Sequence, residues 1–341
     1  MATLRKCIGA ASLLTANCVK YSHLITAQRS FKRWVAPTLR ELKRRRDKLG
    51  PEPPSKRSSF LEWNYKAEQY AFGKRLNEEF REDLLLQAFT HRSYIIQEEE
   101  KQKEVGIEDP QLDLQDNREL VETGDQFIRQ YISTYIRRSL PRFPEEGIRA
   151  VCDYLMSVEL LAHISSGIGT KDLILSSDFP PEPLTLANTF KAVVAVLLES
   201  SGTKQAGRFV LDFVVTHLSG VDVNDIWHPE DCIKTLADIL SREGRSEAEP
   251  RLLGEVGRNT VLAAYHVGMY VDKELIGKGV GETIDIAKEM AALDALKKMF
   301  CTTDSMSPFL FHLDVDVDGK SVDPVQNVSI ENWSQRNIVQ C

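Results

Sequence analysis

Glu122 and Asp125 stand three residues apart in the segment Asn117-Arg-Glu-Leu-Val-Glu-Thr-Gly-Asp125. On a helix that spacing puts both carboxylates on one face. Two such acids suit a hard cation such as Mg²⁺, which asks for octahedral oxygen ligands at about 2.0–2.1 Å. A second segment, Leu186-Ala-Asn-Thr-Phe-Lys-Ala192, offers only the neutral carbonyl oxygen of Asn188 and the ammonium of Lys191. No acid lies between Glu182 and Glu199. An ammonium placed where the ion's charge belongs would repel it, so metal-assisted hydrolysis is not expected. Other ligand-like clusters are weaker. Asp314-x-Asp316-x-Asp318-Gly319 opens like a calcium loop, but Val325 holds the twelfth position, which needs a bidentate Glu, and Pro324 precedes it. The six cysteines, at 7, 18, 152, 232, 301 and 341, form no close pairs, so neither a zinc site nor a disulfide framework is indicated. No cofactor is expected.

The two segments resemble the metal-site helices of the ribonuclease III family, which cuts double-stranded RNA with Mg²⁺ held between carboxylates of two helices. The family's first helix reads Asn-Glu-Arg-Leu-Glu-Phe-Leu-Gly-Asp, and its second contains Ala-Asp-x-x-Glu-Ala. With Gly124-Asp125 as the anchor, the resemblance places the two earlier carboxylate positions on Arg118 and Val121. In the second helix they fall on Asn188 and Lys191. Of five implied acids only Asp125 is present, with Glu122 as a substitute on the same face. A third motif, Ala88-Phe-Thr-His-Arg-Ser-Tyr94, is similar to the segment that opens these domains, at family-like spacing. His91 reads as a packed, hydrogen-bonded side chain at a helix end.

Residues 277–296 are similar to the closing helix of a double-stranded RNA-binding domain and the approach to it. Ala287-Lys288, Ala291-Ala292 and Ala295-Leu296 match the family pattern, and their helical spacing suits a helix lying close on a sheet. Strands at 260–267 and 269–276 and an amphipathic helix at 230–243 are expected before it. In that family a Lys-Lys pair grips phosphates across the RNA major groove and a Gly-Pro-x-His loop enters the minor groove. Here the pair falls on Ile284 and Asp285, and the loop on Gly257-Arg-Asn-Thr260. Arg258, Lys278 and Lys288 remain as candidate phosphate contacts. Each lost cation removes a counterion-release contribution, so weak binding of generic duplex RNA is expected.

Residues 1–40 carry seven Lys or Arg and no acid before Glu41. With interspersed Leu and abundant Ser, Thr and Ala, residues 1–35 read as a mitochondrial presequence. A basic arm follows over 36–64, with Lys43, Arg44, Arg45, Arg46 and Lys48 as candidate RNA contacts. Trp34 and Trp63 flank it, and burial is the expectation for Trp63. Residues 1–60 are net +11 while the remainder is net −18, within a whole-chain charge of −7. An acidic body is a poor RNA binder by itself, so any grip on RNA concentrates in the arm.

The resemblance implies an all-α ribonuclease III-like domain over 65–226 and an α-β-β-β-α (α+β) RNA-binding-like domain over 229–302. A short linker near Trp227-His228-Pro229 joins them, and a C-terminal extension spans 303–341. Helices are expected near 67–80, 82–90, 116–138, 144–166, 184–200 and 203–218, with 95–115 an exposed polar loop. The extension reads as an extended tail that docks on a partner. A hydrophobic content of 42% supports ordinary globular cores, no internal repeat is evident, and no unbroken apolar stretch approaches the ~18 residues of a membrane span. The order of parts resembles the ribonuclease III-like proteins of the mitochondrial large ribosomal subunit. That resemblance implies a non-catalytic component in the mitochondrial matrix, held by large-subunit rRNA and neighbouring mitochondrial ribosomal proteins. The alternatives are a divergent mitochondrial endoribonuclease and a non-ribosomal RNA-processing or assembly factor.

Overall fold

The computed structural model describes residues 37–50, 56–106, 112, 114–258, 260–303, 309 and 326–335. The region read as a presequence, Trp34 and the calcium-loop-like acids lie outside them. Two compact units are separated after Ser55. The first contains α1 (Pro37–Leu49), opened by a proline whose fixed φ suits the first helical turn. Its Lys43, Arg44, Arg45, Arg46 and Lys48 are all exposed, as are Leu39, Leu42 and Leu49.

The second unit opens with helices α2 (Tyr65–Leu76), α3 (Glu82–Phe89), α4 (Arg92–Glu104), α5 (Arg118–Ser139), α6 (Glu145–Leu155), α7 (Val158–Ile168), α8 (Pro183–Ser201), α9 (Thr203–Phe213) and α10 (Val223–Ile226). The first domain is organised around α8, which touches α3, α5, α7 and α9. Ala187, Phe190 and the run Ala192–Leu197 are almost wholly buried, as expected of a helix apolar on every side. By length and composition alone α8 could cross a membrane, although its apolar run is broken by Thr185, Asn188, Thr189 and Lys191. Its apolar side chains instead form the centre of a protein core. Trp63 is half-buried against that core, with the Arg57 guanidinium 5.5 Å from its ring centroid.

Two expectations for the helical region are corrected. The polar stretch beginning at 95 is helical as far as Glu104. Glu, Gln and Lys are strong helix formers, and Lys101 pairs with Glu98 at 2.7 Å one turn away, so polarity marked exposure and not a loop. The single helix expected over 144–166 is two, α6 and α7. The chain turns at Ser157, whose φ of −58° and ψ of 142° are not helical, although no glycine or proline marks the break.

The second domain comprises α11 (Cys232–Glu243), β1 (Glu249–Val256), β2 (Ala264–Val271), β3 (Glu274–Gly281) and α12 (Ile284–Met299). The strands form an antiparallel sheet in the order β1-β2-β3, with an irregularity between Leu252 and Gly254. Asp272 and Lys273 both have positive φ, as a two-residue hairpin turn of the favoured hand requires. The strands therefore lie four or five residues beyond the expected positions, and Gly277–Gly281 belong to β3. Gly277 and Gly279 face α12: a Cβ on Gly277 would meet Ala295 N at 2.8 Å, and one on Gly279 would meet Met290 C at 2.6 Å. Glycine on the strand and alanine on the helix together let α12 lie close on the sheet. The domain is of the α-β-β-β-α type, following an all-α domain of ribonuclease III type.

The expectation of an extended tail that docks on a partner is corrected for residues 326–335. Residues 326–335 pack on their own chain, and Trp333 is among its most buried side chains. Trp227, expected in a linker, packs edge-on against Phe143 at 5.6 Å.

Candidate functional site

Gly124 determines how α5 meets α8. A Cβ there would lie 2.7 Å from the Lys191 carbonyl carbon and closer still to its oxygen, so only glycine permits this approach. The next residue, Asp125, then faces the Lys191 side chain, with Lys191 Nζ 2.7 Å from Asp125 Oδ1. Arg129, one turn along α5, donates from Nε to Asp125 Oδ2 at 2.9 Å and from Nη1 to Asp153 Oδ1 at 3.1 Å. Three helices, α5, α6 and α8, are thus linked through two carboxylates and two cations.

A divalent ion does not fit this arrangement. The Asp125 carboxylate already receives an ammonium on one oxygen and a guanidinium on the other. Among the described residues no group of three or more His, Cys, Asp or Glu side chains could hold a metal. Arg118 turns away to Asp116, at 2.7 Å. Val121 is half-buried against the core, and Asn188 is half-buried one turn before Lys191. Of the five candidate positions the structure brings together Asp125 and Lys191. Arg129 and Asp153 were not singled out from sequence. The four-residue spacing from Asp125 would have suggested Arg129, whereas Asp153 is brought in only by the α5–α6 turn.

Burial works against the Asp125 carboxylate, but hydrogen bonds and charge from Lys191 and Arg129 outweigh it and hold its pKa below 3.8. A depressed folded-state pKa gives stability that is present above the unfolded value, roughly 4, and lost as pH falls through the folded value. Asp125→Asn is therefore expected to lower stability at neutral pH. It should also make the acid limb of unfolding, below about pH 4, shallower than in the unsubstituted protein. Circular dichroism melts across pH 2–7 (an interval chosen to bracket roughly the carboxylate range) check both.

The Thr-His-Arg-Ser-Tyr segment is a structural pin. His91 precedes α4 and its Nδ1 accepts from Ser93 N. The backbone N–H of His91 donates to Leu175 O at 3.0 Å, and Leu175 N donates back to Phe89 O at 2.9 Å. Buried Asn117 donates from Nδ2 to Ala88 O at 3.2 Å, tying the start of α5 to the end of α3.

In the second domain the candidate RNA contacts are dispersed. Arg258 Nη1 pairs with Glu255 at 3.3 Å, and Lys288 Nζ with Asp285 at 3.0 Å. Lys278 is exposed and, by strand alternation between Gly277 and Gly279, points to the sheet face opposite α12. Ile284 and Ile286 are also exposed at the start of α12.

A ribonuclease III-type helical domain closed by a lysine, followed by a double-stranded RNA-binding-type module, defines a ribonuclease III-related protein. Residues 64–197 match the family described as "Large ribosomal subunit protein mL44, endonuclease domain", and residues 227–337 match "MRPL44 dsRNA-binding domain". "Large ribosomal subunit protein mL44" of Caenorhabditis elegans is 32% identical over 89% of this chain and 74% of its own length. The chain belongs to the mL44 family of large-ribosomal-subunit proteins. "Ribonuclease 3" of Bacillus licheniformis is 25% identical over 72% of this chain and 97% of its own length. The nuclease domain of ribonuclease III from Campylobacter jejuni is 18% identical, covering 46% of this chain and 97% of that one, with a TM-score of 0.37.

Proposed function

We propose that this protein is a component of the mitochondrial large ribosomal subunit, in which two RNA-processing folds serve as architecture and no RNA is cut. The observation that carries the non-catalytic half is the Lys191 ammonium seated 2.7 Å from Asp125, where a hydrolytic ion would need oxygen ligands. Arg118, Val121 and Asn188 bring no carboxylate to the other positions. Membership of the mL44 family supports the ribosomal half. In this reading large-subunit rRNA is held by α1 and the arm around it, through Lys43, Arg44, Arg45, Arg46 and Lys48. Arg44 and Arg45 share Glu41 at 4.0 and 3.5 Å, contacts weak enough at an exposed surface to be exchanged for phosphate. The second domain, with Arg258 and Lys288 paired to carboxylates, serves protein neighbours and contributes Lys278, Lys288 and Arg258 as secondary RNA contacts. Residues 1–35 act as the presequence that delivers the protein to the matrix.

Sucrose-gradient sedimentation of mitochondrial lysate, with and without EDTA, tests this reading. Persistent migration with the large subunit after the subunits separate is expected, and migration near the top of the gradient would overturn it. Replacing Arg44, Arg45 and Arg46 by alanine is expected to reduce that co-migration, whereas Asp125→Ala is expected to leave it and translation intact. Mg²⁺-dependent cleavage of duplex RNA that Asp125→Ala abolishes would establish the endoribonuclease instead.

A further inference from the structure

The seam between the two domains is lined by groups that can recognise a peptide. From the first domain come the carbonyls of Leu140, Arg142 and Phe143 and the carboxylates of Glu145 and Glu146. From the second come the guanidinium of Arg242, the carboxylate of Glu243 and the Phe300 ring.

Residues 326–335 satisfy these groups one after another. Asn327 donates from Nδ2 to Leu140 O at 3.0 Å and to Phe143 O at 2.8 Å, and its backbone N–H donates to Glu145 at 3.2 Å. Ile330 N donates to Glu146 at 3.0 Å. Trp333 Nε1 donates to Arg142 O at 2.8 Å while its ring stands edge-on to Phe300 at 5.0 Å. On the far side Arg242 donates to the carbonyls of Ile330 at 3.0 Å and Trp333 at 2.7 Å. Glu243 accepts from Gln335 N at 2.9 Å.

Glu145 and Glu243 are 5% and 6% exposed. Buried carboxylates need fixed donors, and the peptide's N–H groups supply part of them. Trp333 is 1% exposed at the centre of the contact, where an aromatic anchor in a desolvated pocket dominates binding energy.

We propose that this seam is a peptide-binding site filled in cis by residues 326–335, with Trp333 as anchor and Asn327 as register pin, and that its occupancy holds the two domains as one body. The ligand class is a segment of the form Asn-x-x-Ile-x-x-Trp-x-Gln that turns at Ile330–Asn332, where Asn332 N donates to Ser329 O at 3.0 Å. The site uses neither Asp125 nor Lys191, so it stands whether or not the ribosomal reading does.

The test uses the full chain carrying a protease recognition sequence between Asp318 and Gly319, cut after folding and passed over a native size-exclusion column. The C-terminal piece is expected to co-elute with the body at micromolar concentration, and melting is expected to remain a single transition. With Trp333→Ala, retention on dilution should weaken by at least about 100-fold, and the nicked protein should melt in two steps. If Trp333→Ala does not fold, Asn327→Ala is expected to weaken retention by about tenfold. Elution of the unsubstituted piece alone would overturn the site. Unchanged retention with the alanine variant that folds would overturn its assigned anchor or pin, and a single transition after release would overturn the coupling of the domains.

Discussion

Gly124→Ala is expected to destabilise the protein by at least about 3 kcal/mol, the upper end of the cost of overpacking a core. The added Cβ would lie 2.7 Å from the Lys191 carbonyl carbon. Its neighbours there are helix backbone, which cannot swing aside as a flexible side chain can. Relief requires α5 and α8 to separate, and that in turn lengthens the Asp125–Lys191 contact. At roughly 2–4 °C per kcal/mol for a unit of this size, the melting temperature should fall by about 6–12 °C. Gly167→Ala is the control, because it lies in α7 with nothing within 4 Å of the added Cβ. There, helix propensity should stabilise by up to about 1 kcal/mol. Equal effects of the two substitutions in a thermal melt would show that the α5–α8 approach is not tight.

Arg137→Met is expected to cost about 3–5 kcal/mol, the range for removing one partner of a buried ion pair. Arg137 Nη2 lies 2.6 Å from Glu145 Oε1, and the two side chains are 17% and 7% exposed. Methionine keeps much of the volume, so the loss isolates the charge left on Glu145. The double variant Arg137→Met/Glu145→Gln should recover part of the loss, because a neutral amide no longer leaves a buried charge uncompensated. Urea unfolding of the three variants checks this. A single substitution costing less than about 1 kcal/mol would mean that Glu145 is reached by water.

The motif residues present in this chain divide by physical role. Asn117, Gly124, Thr90, His91 and Ser93 make backbone-level contacts: Asn117 to Ala88 O, Gly124 against Lys191, and Thr90 in the bridge to Leu175. Such contacts are needed for the helices to meet whatever the site does. Arg118, Val121, Asn188 and Lys191 bring no carboxylate to the positions where the resemblance implies ion ligands. Asp125 belongs to both groups, since its charge is now used by Lys191 and Arg129.

The sequence by itself determined the all-α and α-β-β-β-α classes, the absence of carboxylates at four implied positions, and the charge contrast between arm and body. These follow from residue identity and short-range periodicity, which do not depend on how distant segments meet. Tertiary structure decided the rest. Only the approach of α5 to α8 shows that the Lys191 ammonium is seated on the Asp125 carboxylate. Polar residues 92–104 carried no sign of whether they are loop or helix, because exposure is common to both. Ser157 breaks a helix that local propensity would continue. Residues 326–335 have little periodicity, since their partners are carbonyls and carboxylates some 90–190 positions away. A segment held by long-range hydrogen bonds and one buried tryptophan leaves no local pattern to read.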